Sequence, residues 1–424
     1  MSSTLNFRLS RAVLSTISPP IPQAYKWGAL YPPKPERPLL DMSQGVPGSP
    51  PPEKLRNALQ TASALPNSFG YCPAQGEITL RTEFASEMKE AYGKDADLTH
   101  EDLALTVGCN MAFVASIMSL ADAGDEVILP VPWYFNHQMT LTLLGITPVP
   151  LETISDNGFL PSVEQCKSLI TTKTKAIALV TPNNPTGAIY PPSLLASFLS
   201  LAREHNIALI IDETYRDFLV DANTGNPKTP HALFSKTNAI PWRSSLVHLY
   251  SFSKSYRIPG HRLGCIVASP ALIQEIIKVL DTLQICPPRI PQLALGQPSL
   301  LADLRGGIRD TSVQVAKRHE LFKEYLPDKW KIASQGGYYA FVRHPFAGIG
   351  SVEVCKRLAI EMGVVVLPGA FFREESKEKK NPDDVDDRWI RFSVANVDNE
   401  KVKWVCERLK ESEGTFGWEI DVSC

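Results

Sequence analysis

The sequence predicts an α/β protein whose larger part is a mainly parallel sheet between helices, joined to a smaller α+β unit. Two observations carry this prediction. In the middle of the chain, short and nearly all-apolar runs alternate with segments of helical periodicity, the pattern of strands buried on both faces. After about residue 300 that alternation gives way to a few helices and strands in another rhythm.

The runs "EVILP", "KAIALVTP", "IALIID", "LVHLYSFS" and "LGCIVAS" read as buried strands. Between them, "CNMAFVASIMSLADAG", "PPSLLASFLSLAREHN" and "ALIQEIIKVLDTL" carry apolar residues at helical spacing. Further on, "VQVAKRHELFKEYLPDKW" reads as a long amphipathic helix. It is followed by "GGYYAFV", "VEVCKRLAIEMG", "VVVLPG", "WIRFSVA" and "KVKWVCERLKESEG", the elements of the second unit. The charged run "REESKEKKNPDDVDDR" reads as a solvated loop. The expected division is residues 1–48 as an N-terminal arm and the start of the small domain, 49–300 as the large domain, and 301–424 as the small C-terminal domain.

A chain of 424 residues can build two or three domains with cores of their own. Its 44% apolar and 21% charged fractions are ordinary for a globular protein. A net charge of −2 supplies no general attraction for nucleic acid or anionic membrane, so neither is an expected partner. No stretch approaches the run of about 20 apolar residues that a membrane helix needs. The eight cysteines include no C-x-x-C pair, which argues against a zinc site or a disulfide framework, and no metal is expected. A reducing, cytoplasmic setting follows. The N-terminus offers a competing address, because it is serine-rich, carries Arg8 and Arg11, and has no acidic residue before Glu36, as mitochondrial presequences do. The reading preferred here is a helix ended by Pro19 and Pro20, then a proline-stiffened arm.

Ligands of such sheets bind beyond the carboxyl ends of the strands. There the chain delivers "TPNNPTG" with Asn184, "DETYRDF" with Asp212 and Tyr215, and "SFSK" with Ser251 and Lys254. "LALTVGCNMA" brings Gly108, Cys109 and Asn110 to the start of a helix, and Arg262 follows the lysine. Each has a bland explanation: a strand-end Asp caps helices, "NNPTG" makes turns, and a lysine can snorkel from a sheet edge. Together they describe one chemistry. A helix N-terminus with Ser251 and Arg262 suits a phosphate. An Asp for a ring nitrogen, an amide and a phenol for a ring hydroxyl, and an amine for an aldehyde suit pyridoxal phosphate.

On these residues the chain resembles the pyridoxal-phosphate-dependent aminotransferases of classes I and II, from about Gly45 to the C-terminal helix. "SFSKSYRIPGHRLG" follows S-x-S-K-x-x-x-x-x-G-x-R-x-G, and the order "NNPTG … DETY … SFSK … RFSVAN" is specific to that group. The resemblance implies the aspartate aminotransferase fold, with a seven-stranded sheet in the large domain. It implies Lys254 as the Schiff-base lysine and proton carrier, and Asp212 as the carboxylate that keeps the pyridine nitrogen protonated. Asn184 and Tyr215 would meet the ring hydroxyl. Gly108, Cys109, Asn110, Ser251 and Arg262 would hold the phosphate, and Tyr134 would stack on the ring, with Trp133 as its rival. Tyr71 would reach the phosphate of a neighbouring subunit, which implies a homodimer with shared sites. Arg391 would bind the substrate α-carboxylate beside Gly45, with Asn184 near. The partners implied are an L-amino acid and a 2-oxo acid.

Two features depart from the pattern. Cys109 stands where many relatives carry Ser or Ala, and a thiol is a weak donor. Dicarboxylate-specific members use a second arginine, from the partner subunit, and an ungapped match puts Asp281 at its position, with Arg289 only nearby. The expected activity is therefore amino-group transfer without strict dicarboxylate specificity, in two half-reactions through pyridoxamine phosphate. The same residues also fit lyases and synthases of this fold, including β- or γ-eliminating, aminocyclopropane-forming and carbon–carbon-forming enzymes, and a non-catalytic sensor domain is a third reading. His137 reads as a structural residue, with a place in the substrate-pocket lining as its alternative, and His261 as a packing or capping residue. Trp27 and Tyr31 read as arm aromatics over the site mouth, and Tyr338 and Tyr339 hint at an apolar or aromatic side-chain pocket.

Overall fold

In a computed structural model, residues 6–221, 224–374 and 387–421 are described. Seven strands form the large sheet: β1 (Leu103–Val107), β2 (Glu126–Val131), β3 (Thr147–Glu152), β4 (Thr174–Val180), β5 (Ala208–Asp212), β6 (Leu246–Ser251) and β7 (Leu263–Val267). Their order is β1-β7-β6-β5-β4-β2-β3. All neighbours run parallel except those of β7, which is antiparallel to both β1 and β6. The expected mainly parallel, seven-stranded sheet is thus present. The reversal of β7 has a plain cause: a short helix (Phe252–Ser255) and one turn join it to β6, too little chain for a parallel crossover.

Burial on both faces follows from the all-apolar strands. Leu209, Ile211 and Leu246 face one core with Phe84 and Phe198. Ile210, Val247 and Leu249 face the other with Phe113 and Ile276. The period of two along each strand divides its side chains between these cores. Strand β3 escapes the sequence reading because "TPVPLE" carries two prolines; it lies at the sheet edge, where missing N–H donors are tolerated.

The later part of the chain forms a four-stranded antiparallel sheet, in the order Leu367–Pro368, Trp389–Ser393, Tyr339–Arg343, Lys331–Gly336. Helices Leu300–Tyr325 and Asn399–Thr415 pack with it over a third core that includes Phe322, Val402 and Leu409. The first of these stops short of "PDKW", since Pro327 cannot continue it. Residues 375–386, most of the charged run, lie outside the described residues.

The arm differs from expectation. A five-residue helix (Arg11–Ser15) ends before the prolines, and a second helix (Ile21–Gly28) begins directly after Pro20. Proline is compatible with a first helical turn, where its absent N–H would have no partner anyway. Beyond that helix, Leu40–Asp41 pairs in parallel with Val364–Val365, stitching the arm to the smaller unit.

Candidate active site

Strand β5 ends in Asp212, 4% exposed, and the chain turns at once so that Thr214 donates to Asp212 Oδ1 through its backbone N (3.0 Å) and its hydroxyl (2.7 Å). The other oxygen, Oδ2, lies 3.4 Å from His137 Nε2 and accepts from the Cys109 thiol at 3.6 Å. The imidazole is fixed by stacking on Phe113, with ring centroids 3.8 Å apart. Burial alone would raise the Asp212 pKa, but the hydrogen bond and charge of His137 and the bonds from Thr214 outweigh it and hold the carboxyl below its ordinary value. A buried carboxylate kept ionised in this way suits a protonated ring nitrogen.

Strand β6 delivers Lys254 on a single helical turn, capped by the Ser251 hydroxyl accepting from Ser253 N at 3.3 Å. That turn is gripped from behind by Asp217, which accepts from Ser255 (2.5 Å) and Tyr250 (2.6 Å). Lys254 Nζ donates to the Gly45 carbonyl. Burial first, then the positive charges of Arg391 and Arg262, pull the lysine down to about 8. A sizeable fraction is therefore neutral amine near physiological pH, the form that can attack an aldehyde or take a proton.

The anion end is built by close backbone approach. Helix Gly108–Leu120 starts at Gly108 (φ +74°), and a Cβ there would collide with the Arg262 guanidinium. Arg262 itself sits in left-handed backbone at φ +50°. A Cβ on Gly264 would meet the Gly108 carbonyl carbon at 2.5 Å, so glycine is what lets the two segments touch. Helix N–H groups, Ser251, Ser253 and Arg262 together form a donor set for a phosphate.

The remaining groups come from the small unit and the loop before the large one. Arg391 rises from strand Trp389–Ser393, 2% exposed, between the rings of Tyr339 (4.5 Å) and Phe372 (5.0 Å). It donates to Asn184 Oδ1 at 2.7 Å and to the Ser43 carbonyl, while its Nε has no hydrogen-bond partner among the described residues. A buried guanidinium with a donor to spare is suited to a carboxylate. Tyr215 and Tyr339 share a hydrogen bond at 2.6 Å, and burial, then Tyr339, push the Tyr215 phenol well above its ordinary value, so it stays protonated. Any side chain on Gly45 would occupy the Tyr339 hydroxyl.

These residues share one cavity of about 360 Å³. Of the nominated site residues, Gly45, Cys109, Asn110, Tyr134, Asn184, Asp212, Tyr215, Ser251, Lys254, Arg262 and Arg391 line it, and Gly108 lies directly behind Arg262. Tyr71 does not; it stands 77% exposed. Tyr134 rather than Trp133 faces the cavity, Trp133 being buried in the core with Phe113. Cys109 lines it with its thiol toward Asp212.

His137 is buried, stacks on Phe113 and bonds Asp212, and it is not among the residues lining the cavity. Trp27 and Tyr31 are buried, Trp27 against Phe371, and neither lines the cavity; Ile21 of the same arm does. Thr214 was legible in principle, since a hydroxyl two residues after an Asp is a common local partner. Nothing local marks Ile21 or His137. Arg289 is engaged by Glu77 at 2.6 Å and by the carbonyls of Asn67 and Gly70, while Asp281 is exposed.

The family model described as aminotransferase class I and II matches residues 37–409. An aromatic aminotransferase of Arabidopsis thaliana is 28% identical over 340 residues, covering 78% of this chain and 81% of the relative. A putative aminotransferase of Bacillus subtilis is 28% identical over 312 residues, 71% of this chain and 76% of its own length. Among solved structures, a double mutant of Thermus thermophilus aspartate aminotransferase superposes with a TM-score of 0.82 at 24% identity, covering 96% of this chain and 99% of the other. Aspartate aminotransferase from Thermotoga maritima gives 0.80 at 25% identity, covering 96% and 100%.

Proposed function

Because the chain belongs to the aminotransferase class I and II family, a pyridoxal-phosphate-dependent group, we propose that it moves an amino group from an L-amino acid to a 2-oxo acid in two half-reactions on one cofactor, without strict selectivity for dicarboxylates. The observation that carries this reading is the convergence of a buried, low-pKa Lys254, an ionised Asp212 and an Arg391 with a free donor in one cavity.

The donor set fits the cofactor at each end. Gly108, Cys109 and Asn110 at the helix N-terminus, with Ser251 and Arg262, would hold its phosphate; Asp212 would hold its ring nitrogen and Tyr134 its face. Asn184 and Tyr215 would meet its ring hydroxyl. When bound, pyridoxal phosphate supplies an aldehyde that takes up the amino group and a ring that accepts the electron pair left when the α-C–H bond breaks. Arg391 fixes the α-carboxylate by its fork and so orients the amino acid. Lys254 Nζ would take the proton from Cα and deliver it to the carbon that was the cofactor's aldehyde, and its lowered pKa suits a base working near neutrality. Asp212, held ionised by His137 and Thr214, keeps the ring nitrogen protonated. The exposed Tyr71 supports a homodimer in which it serves the neighbouring copy's phosphate.

The three-part division at 48/49 and 300/301 belongs to the same proposal; the pairing of Leu40–Asp41 with Val364–Val365 supports placing the arm with the small unit. A reducing, cytoplasmic setting is part of the same proposal. Among the described residues no helix is long and apolar enough to cross a membrane.

Two measurements test the activity. Borohydride reduction of the purified protein should fix the cofactor to the peptide containing Lys254, read by mass spectrometry. Single amino acids should convert the bound cofactor to its amino form, and a 2-oxo acid should reverse the change. Ammonia release with the cofactor spectrum unchanged would overturn transamination in favour of elimination.

A further inference from the structure

Lys254 rides on a helix of four residues, Phe252–Ser255. A single turn has little stability of its own, because closing it fixes several residues for one hydrogen bond. Its surroundings must therefore hold it. Ser251 caps its start, and the Tyr338 hydroxyl donates to the Lys254 carbonyl at 3.4 Å. The strongest hold comes from Asp217, which does not line the cavity. One of its carboxylate oxygens accepts from Ser255 Oγ at 2.5 Å and from Tyr250 Oη at 2.6 Å, both charge-assisted bonds. They tie the residue next to the lysine to strand β6, which carries the turn.

Asp217 is itself fixed. Its other oxygen accepts from Arg216 Nε at 3.3 Å, and the buried Arg216 guanidinium lies over the rings of Tyr250 (4.2 Å) and Tyr92 (5.1 Å). The Ser312 hydroxyl, from helix Leu300–Tyr325, donates to the Asp217 carbonyl at 2.6 Å. Asp217 also belongs to the short segment that begins with Asp212 and includes Tyr215. One stretch of backbone therefore fixes the group meant for the ring nitrogen and, through Ser255, the turn that carries the amine.

We propose that Asp217 is a positioning residue for the reaction: acting through Ser255 and Tyr250, it sets the place of Lys254 Nζ relative to Asp212. This rests on the transaminase reading of the same cavity. One amine must take a proton from one carbon and deliver it to another, and a displacement of about 1 Å can cost such a step roughly 10²-fold in rate. The alternative is a purely structural role, of which Glu213 is the neighbouring example. Its carboxylate meets Tyr92, His231 (3.1 Å) and His248 (3.0 Å), and none of these belongs to the turn.

The test uses the holoenzyme and its variants Ser255→Ala and Asp217→Ala, with Tyr92→Phe as control. The control weakens the Glu213 network but keeps the ring on which Arg216 lies. Ser255→Ala removes one charge-assisted bond and should lower the rate at saturating amino acid roughly tenfold, with KM and cofactor retention unchanged. Asp217→Ala should lower it about 10²-fold, and the double variant no further, because both changes cut the same path. In both variants the visible circular dichroism of the bound cofactor, per unit absorbance, should change, since the placement of the lysine sets the twist of its bond to the cofactor. Tyr92→Phe should melt at a lower temperature with rate and dichroism as in the parent. Thermal melting establishes that each variant folds; should Asp217→Ala not fold, Ser255→Ala decides alone. Rate and dichroism equal to the parent's in folded Ser255→Ala, or the same changes in Tyr92→Phe, overturn the assignment of Asp217 and leave the transaminase reading standing. A parent in which no amino acid converts the cofactor overturns the transaminase reading itself.

Discussion

The two halves of the cavity are built on opposite plans. The strand-end half takes Asp212 and Ser251 from the last residues of β5 and β6, Lys254 from the helical turn after β6, and Asn184 from the loop after β4, so a rigid, doubly covered sheet places each group within a few residues of an anchor. The other half joins Ile21, Gly45, Tyr339 and Arg391, which come from the two ends of the chain and meet only through the small unit. The difference assigns the work. On the proposed function, a cofactor that needs fixed chemistry would be held by the sheet, and a substrate that needs selection would be met by parts that can vary independently of it.

Removing Lys254 tests that division most severely. Lys254→Ala should lower transamination with every donor alike by roughly 10²- to 10⁴-fold, the range for loss of a positioned acid–base group. Steady-state kinetics with an apolar and an acidic donor would show it, and donor-dependent loss would blur the two halves. Arg391→Lys should act only on the other half. Exchanging a fork for a point charge costs about 1.5–3 kcal/mol, hence a KM raised roughly 10- to 100-fold, with cofactor retention unchanged on dialysis. Loss of cofactor from this variant would break the comparison.

Gly264→Ala presses on the strand-end half without replacing any of its side chains, its Cβ meeting the Cys109 backbone N at 2.7 Å. Its Cβ would strike the Gly108 backbone, so overpacking of about 1–3 kcal/mol is expected in a melting measurement, together with weaker cofactor retention. A further effect concerns pH. In cofactor-free protein the Lys254 pKa is about 8 against an ordinary 10.5, so the folded state binds fewer protons than the unfolded state between those values. Stability attributable to this group therefore rises as pH increases through that window, and below about 8 the buried charge is a fixed cost. Lys254→Met should melt higher than the parent at pH 7, with the gap closing toward pH 10.

The same division explains how much was legible in the sequence. Strands β2 and β4 to β7, and the groups at their ends, follow from apolar runs and from turn residues next to them, which are local facts. The direction of β7 was not seen, although the brevity of the 252–262 connection contained it. His137 reads as a helix residue of Phe135–Leu143 until the fold sets that helix over Asp212. Ile21 is one apolar residue among prolines until the arm docks. Trp27 and Tyr31 read as mouth residues from their place in the arm, yet large aromatic rings stabilise most when fully buried, and that is where the arm puts them.

The pairing of Leu40–Asp41 with Val364–Val365 also has a consequence in time. A ribosome delivers the N-terminus first, and domains fold as units while synthesis continues. The arm's strand therefore emerges more than three hundred residues before its partner exists, whereas all seven strands of the large sheet are available once Val267 has left the exit tunnel. Nascent chains should accordingly complete the cofactor pocket well before the substrate pocket, and the arm closes over it as one of the last acts of folding.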